Sequence, residues 1–133
     1  MRAGLVSLLT GESTISAIVS DRVFISSAPQ SASLPYIIIT QMGSEENKAL
    51  DGTGALRFLG FDIDCKANTS AQAETLGNAV RVFLDDYTGA AGDETILAVL
   101  LNDESTDVEP PTDKSDVAKH TTLLDVTIQY EPA

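Results

Sequence analysis

The sequence predicts an α+β fold in which a single, mainly antiparallel β-sheet carries helices on one face and has two long polar loops. Apolar residues spaced three and four apart near the N-terminus and over Ser70–Asp85 indicate amphipathic helices. Alternation of apolar and polar residues over Leu59–Lys66 and His120–Tyr130 indicates half-buried strands. The order helices, strands, helix, strands favours helices collected on one side of a sheet.

The N-terminal part begins with two short helices. Apolar residues recur at helical spacing over Leu5–Leu9 and again over Ile15–Val19, with Gly11 between the two segments. Asp21–Ser26 is a short strand candidate, and a loop rich in serine and proline follows it. Tyr36–Thr40 is a β-branched run that is apolar on both faces, so we expect a central strand.

The principal helix is predicted over Ser70–Asp85. Thr69 stands three residues before Gln72, which is the spacing of a capping box. Gly77 interrupts this helix at a cost of about 1 kcal/mol relative to alanine, so we expect it to pack closely against the sheet. An apolar strand over Thr95–Asn102 follows the helix.

Two polar segments are interpreted as loops, Gly43–Gly54 and Asp103–Lys119, the second strongly acidic. Loops of this length are often functional or disordered, and loops of this kind can become ordered on assembly. We therefore expect them to supply assembly contacts. The residues assigned to these contacts are Ser44, Glu45, Glu46, Asn47, Lys48, Asp51, Asp103, Glu104, Asp107, Glu109, Asp113 and Lys114.

Charge and length limit the classes of function. With 133 residues, the chain is expected to form one domain over residues 1–133. The net charge is −12; residues 85–131 contribute −10, from twelve acids and two lysines. An acidic surface repels phosphate, so specific binding of nucleic acid or of an anionic membrane is not expected. Such a surface suits a protein along which DNA moves without binding.

No catalytic, cofactor-binding or metal site is expected. Asp62 and Asp64 share one strand face, which is interpreted as a solvent face, although a metal or an acid–base pair is the alternative. Cys65 points to the opposite, apolar face. His120 lacks the further ligands that zinc requires. The protein is therefore not expected to be an enzyme.

The single cysteine gives no reason to expect an oxidising compartment. The apolar run Leu5–Leu9 is too short for a signal sequence or a membrane span. Synthesis in the cytoplasm of the cell, without a membrane partner, is the expectation.

The order of segments resembles the small tail-completion, or tail-terminator, proteins of long-tailed bacteriophages and prophages, over nearly the whole chain. The residues that carry the resemblance are Arg22-Val23-Phe24, Pro29, Leu34-Pro35-Tyr36, Ile63-Asp64-Cys65, Ala73, Leu76, Val80 and Leu84. Lys66 departs from the pattern, in which an aromatic residue commonly follows the cysteine.

The resemblance implies a structural protein of the virion, made in the bacterial host cytoplasm. It implies a homo-oligomeric ring, usually a hexamer, that caps the tail tube, ends tail polymerisation and forms the head–tail joining interface. Its partners would be the major tail tube protein and a head-completion or connector protein, with DNA passing through. Two alternatives are another head–tail neck protein and, in a different class, a small α+β module that binds a metabolite.

Overall fold

The computed structural model describes residues 1–29, 31–48, 55–85, 87–110 and 118–131. The helices are α1 (Arg2–Gly11), α2 (Ser13–Val19) and α3 (Ser70–Leu84). The strands are β1 (Val23–Ile25), β2 (Tyr36–Lys48), β3 (Ala55–Ala67), β4 (Gly89–Ala91), β5 (Glu94–Glu109) and β6 (Lys119–Glu131). They form one sheet in the order β1-β2-β3-β6-β5-β4. Among the strand pairs of the described residues, β1–β2 alone is parallel. The predicted α+β class is confirmed.

The core lies between one face of the sheet and the helices. On β3 the alternation is as predicted, because Leu59, Phe61, Ile63 and Cys65 are buried while the residues between them are partly exposed. On β6 the predicted inward residues from Thr122 to Tyr130 are likewise buried. Both strands therefore present one apolar face to the helices, and we call the opposite side the open face.

Helix α3 begins and packs as its sequence predicts. The Thr69 hydroxyl accepts a hydrogen bond from the backbone N–H of Gln72 at 3.1 Å, which satisfies one free donor of the first turn. The buried residues of the helix, among them Leu76 and Val80, lie on its sheet-facing side. A Cβ atom placed on Gly77 would lie 2.5 Å from Cγ2 of Thr122 on β6. The close packing expected at this glycine is therefore confirmed.

Parts of the two segments interpreted as loops are strand, and for those residues the sequence prediction is wrong; residues 49–54 and 111–117 lie outside the described residues. The first polar segment belongs to β2 as far as Lys48, and the second belongs to β5 as far as Glu109. Residues 43–48 pair with residues 55–60 of β3, and residues 103–109 pair with residues 119–125 of β6. Backbone pairing with a neighbouring strand holds these polar residues in a sheet despite their low strand propensity.

Side chains at β1 contact residues at the start of β2, the strand that follows the serine- and proline-rich connection. Arg22 Nε donates a hydrogen bond to the carbonyl oxygen of Pro35 at 3.0 Å. The rings of Phe24 and Tyr36 meet edge to face, with centroids 5.8 Å apart. These four residues belong to the pattern on which the resemblance to tail-completion proteins rests, so that part of the pattern has a structural role: it fixes β1 beside β2.

Candidate assembly surfaces

Two β-hairpins carry the residues that were assigned to assembly contacts. The first hairpin is β2–β3 and the second is β5–β6. Residues 57–67 of β3 pair with residues 120–130 of β6 in antiparallel register. The paired residues Lys48 and Ala55 of the first hairpin and the paired residues Glu109 and Lys119 of the second therefore lie at opposite ends of the sheet. The structure therefore separates the two sets of assigned residues and does not bring them together in one site.

Each assigned residue can be placed in this arrangement. Ser44, Glu45, Glu46, Asn47 and Lys48 lie on β2 of the first hairpin, and Asp103, Glu104, Asp107 and Glu109 lie exposed on β5 of the second. Asp51, Asp113 and Lys114 lie outside the described residues.

The acidic strand of the second hairpin has two lysines beside it in the described structure: Lys119 lies opposite Glu109 in the register of β5 and β6, and Lys66 approaches from β3. Lys66 Nζ lies 3.7 Å from a carboxylate oxygen of Glu109 and donates a hydrogen bond to the Thr121 hydroxyl at 3.1 Å. Because Glu109 is exposed, this ion pair is screened by water and contributes little to stability. With four acids in residues 103–109 against these two lysines, the strand keeps a net negative charge for interaction with solvent or with a partner.

A row of three carboxylates crosses the open face of the sheet. Asp62 on β3 lies opposite Asp125 on β6, and Asp125 lies opposite Asp103 on β5. Like charges directly opposite each other on neighbouring strands are destabilising. Burial, and then the neighbouring Asp125 carboxylate, raise the pKa of Asp62. The solvent face predicted for Asp62 thus carries a concentration of negative charge that β3 alone does not reveal.

Asp64 and Cys65 lie on opposite faces, as the alternation predicts. Burial raises the pKa of Asp64, Lys66 lowers it and Asp62 raises it further. Cys65 is fully buried, and burial raises the pKa of its thiol well above the usual value, with smaller contributions from Asp64 and Glu104. A reactive cysteine needs an accessible thiolate, so we assign Cys65 to the core and not to a reactive site.

Apolar side chains are exposed at the two edges of the sheet. Thr95–Asn102 was predicted as an apolar strand, and the structure places it in β5, where Ile96 is buried while Leu97, Leu100 and Leu101 are exposed. Met42, on β2 near the other edge, is also exposed. The sequence pattern did not reveal this exposure, because a run that is apolar on both faces has the appearance of a buried strand.

The other chemical candidates do not form a site in the described residues. In the part of the chain that is described, no group of three or more His, Cys, Asp or Glu side chains is arranged to hold a metal ion. His120 pairs with Ala67 at the start of β6. An apolar cavity between α3 and the sheet has a volume of only about 70 Å³, and two wider grooves of about 510 and 470 Å³ lie along α3. Across the described ranges, no helix is long and apolar enough to cross a bilayer.

Comparison with known proteins identifies the family. The model of the family "Tail completion protein gp17" matches residues 3–119. This match covers most of the chain, which therefore belongs to that family, and the resemblance seen in the sequence is confirmed. The protein is thus a structural component of a phage-type tail. A comparison with curated protein sequences finds no match.

A solved structure shows the same fold. A chain of the structure titled "Virion of native gene transfer agent (GTA) particle" superimposes with a TM-score of 0.68 at 17% sequence identity. The alignment covers 98% of this chain and 92% of that one. At this identity the similarity is evidence for the fold, and the assignment to tail completion rests on the family.

Proposed function

We propose that the protein caps the finished tail tube as a ring, ends tail polymerisation and presents the surface to which the head joins. The observation that carries this proposal is that the last described residues of the two hairpins, Lys48 and Ala55 in the first and Glu109 and Lys119 in the second, lie at opposite ends of one sheet. A cap must contact the tube on one side and the head on the other, and hairpins at opposite ends supply two separate surfaces. We assign the major tail tube protein to one end and a head-completion or connector protein to the other.

The negative charge supports the passage of DNA without specific binding. The chain carries a net charge of −12, and Asp62, Asp103 and Asp125 form a row on the open face of the sheet. Acidic groups repel the phosphate backbone, which avoids the counterion release that drives DNA binding. A ring whose open faces line its channel would let DNA slide through. A structural role of this kind requires no catalysis, so we propose that the protein is not an enzyme.

Omission of the protein from assembling particles tests the proposal. Particles made without it should contain tails longer than normal, or tails of normal length that lack heads, as judged by electron microscopy. Tails of normal length that join heads without this protein would refute the assignment. Overlong tails would favour a terminator, whereas normal but headless tails would favour another neck protein of the same joint.

Variants of each hairpin separate the two contacts. Asp107→Lys with Glu109→Lys alters the second hairpin, and Lys48→Glu with Asp51→Lys alters the end of the first. We expect one pair to impair tube binding and the other to impair head joining. Asp21→Lys, at an exposed position between α2 and β1, is the control for reversal of an acidic charge outside both hairpins.

A further inference from the structure

The sheet has two long edges that no strand covers in the described structure. β1 pairs with β2 only over Ile37–Ile39, and β4 pairs with β5 only over Glu94–Ile96. Beyond these short strands, residues 40–48 of β2 and residues 97–109 of β5 each have a partner strand on one side only. An unpaired edge of this length is a template for another strand, and proteins usually protect such edges.

The exposed apolar side chains of the described residues collect at these edges. Six of the seven large ones lie on β1, β2 or β5, and the seventh, Val82, lies on α3. The six are Ile25, Met42, Leu97, Leu100, Leu101 and Val108. Apolar residues on an open strand edge favour association, so this distribution indicates a contact that is formed in an assembly.

Met42 and Leu100 lie at the same height of the sheet and on the same face, at opposite edges. Gly43, next to Met42, pairs with Gly60 on β3, Gly60 pairs with Thr127 on β6, and Thr127 pairs with Leu100 on β5. Met42 Cβ lies 3.8 Å from the position of a Cβ on Gly60, which places Met42 on the open face. Leu100 shares that face, because it pairs with Thr127. Met42 is 60% exposed and Leu100 is 57% exposed.

Strand direction and charge make the two edges compatible. The pairs β2–β3, β3–β6 and β6–β5 are all antiparallel, so β5 runs opposite to β2. When two copies stand side by side in the same orientation, β5 of one therefore meets β2 of the next in antiparallel direction. Residues 40–44 and 97–102 contain no charged side chain, although the whole chain carries −12. The copies can approach here with the least repulsion.

We propose that β5 of one copy pairs with β2 of the next copy, with Leu100 packed against Met42, so that the sheets join edge to edge around the ring. The partner is a second copy of this chain. The two edges are different surfaces on opposite sides of the molecule, and repeated contact between them is heterologous and can close into a ring. This inference rests on the proposed ring and identifies the surfaces that form it.

Disulfide cross-linking in assembled particles tests the pairing. Met42→Cys and Leu100→Cys are introduced in one chain, so that each copy can bond to both neighbours. Ala98→Cys or Asn102→Cys in place of Leu100→Cys covers small shifts of register, because Ala98 pairs with Gln129 and Asn102 contacts Thr127 on the open face. Oxidised particles should give a ladder of multimers on a non-reducing gel. Native Cys65 is fully buried and does not interfere. The control pair, Met42→Cys with Val82→Cys, is equally exposed and should give monomers.

A charge substitution gives an independent measurement. Leu100→Glu should abolish incorporation into particles, whereas Val82→Glu, which changes the net charge equally on α3, should leave incorporation unchanged. The edge pairing would be overturned if particles contain the protein but yield no ladder with any of the three pairs, or if they incorporate Leu100→Glu normally. Either result would leave the proposed capping function unaffected. Absence of the unmodified protein from particles would overturn both proposals.

Discussion

Gly77 on α3 lies so close to Thr122 on β6 that no side-chain atom fits between them. A Cβ on Gly77 would be 2.5 Å from Thr122 Cγ2 and 2.9 Å from Thr122 Cβ. Thr122 is buried and β-branched, so it cannot rotate away freely. This contact sets how closely the principal helix approaches the centre of the sheet.

Gly77→Ala should therefore destabilise the protein, although alanine is the better helix former. Alanine gains about 1 kcal/mol of helix propensity, but overpacking a core typically costs about 1–3 kcal/mol. We expect a net loss of up to about 2 kcal/mol in the free energy of unfolding, measured by urea denaturation. The control is Gly11→Ala at the end of α1, where an added Cβ meets nothing within 4 Å; it should be neutral or stabilising.

A second substitution tests the cause of that loss. Thr122→Ser removes Cγ2, so in the Gly77→Ala background it should recover part of the lost stability. If the two substitutions are additive, the steric explanation is wrong, since residues in contact are expected to show coupling.

Asp62→Asn should stabilise the protein at neutral pH. Burial and the Asp125 carboxylate raise the pKa of Asp62 in the folded state. A raised pKa means that the folded protein holds this proton more tightly than the unfolded chain, so stability falls as pH rises from the ordinary aspartate pKa, about 3.9, through the raised value. Removal of one charge from a cross-strand pair should add about 0.2–1 kcal/mol at pH 7.

The pH dependence of that difference is the measurement. The advantage of Asp62→Asn over the unmodified protein should be present at pH 7 and should disappear as the pH falls below the ordinary aspartate pKa, where both side chains are neutral. Asp21→Asn, at an exposed position between α2 and β1, is the control for removal of a single negative charge. A loss of stability at pH 7 would mean that the Asp62 carboxylate binds a favourable partner, such as a cation.

The sequence predicted those features of the fold that depend on nearby residues. The burial of Phe61 and Ile63 follows from alternation along one strand, and the Thr69 cap follows from local spacing. The length of β5 could not be predicted from the sequence. Residues 103–109 are a strand because they pair with β6, and the pattern of apolar residues does not reveal that pairing. The carboxylate row was also not predictable, since it depends on the register between β3, β6 and β5.

Cys65 should react slowly with thiol reagents in the folded protein. It is fully buried, and its thiolate is disfavoured because burial raises its pKa. Labelling should become fast in urea. Met42→Cys supplies an exposed thiol as a positive control. Rapid labelling of Cys65 without denaturant would show that β3 opens readily or that its inward face is assigned incorrectly.

Hydrogen exchange should detect the open edges. Residues 97–109 of β5 have a strand on one side only, so those amides that point away from β6 should exchange quickly in the isolated protein. In assembled particles they should become protected, together with the amides of residues 40–48 on β2. The buried helix residues Leu76 and Val80 should change little and provide the reference. Equal exchange before and after assembly would show that these edges are not contact surfaces.

Self-association of the isolated protein should be weak at low salt and should strengthen as salt is added. Each chain carries −12, so neighbouring copies repel one another. The Debye length falls from about 30 Å at 0.01 M salt to about 10 Å at 0.1 M, which screens charges such as Asp103 and Asp107 without weakening contacts between uncharged edges. Sedimentation velocity over this range of salt measures the effect. Association that weakens with salt would instead indicate a contact held by ion pairs.

The tip of a finished tube presents several contact sites at once and raises the local concentration of the protein, so it should recruit the protein at concentrations where free copies stay apart. This difference would restrict ring formation to completed tails.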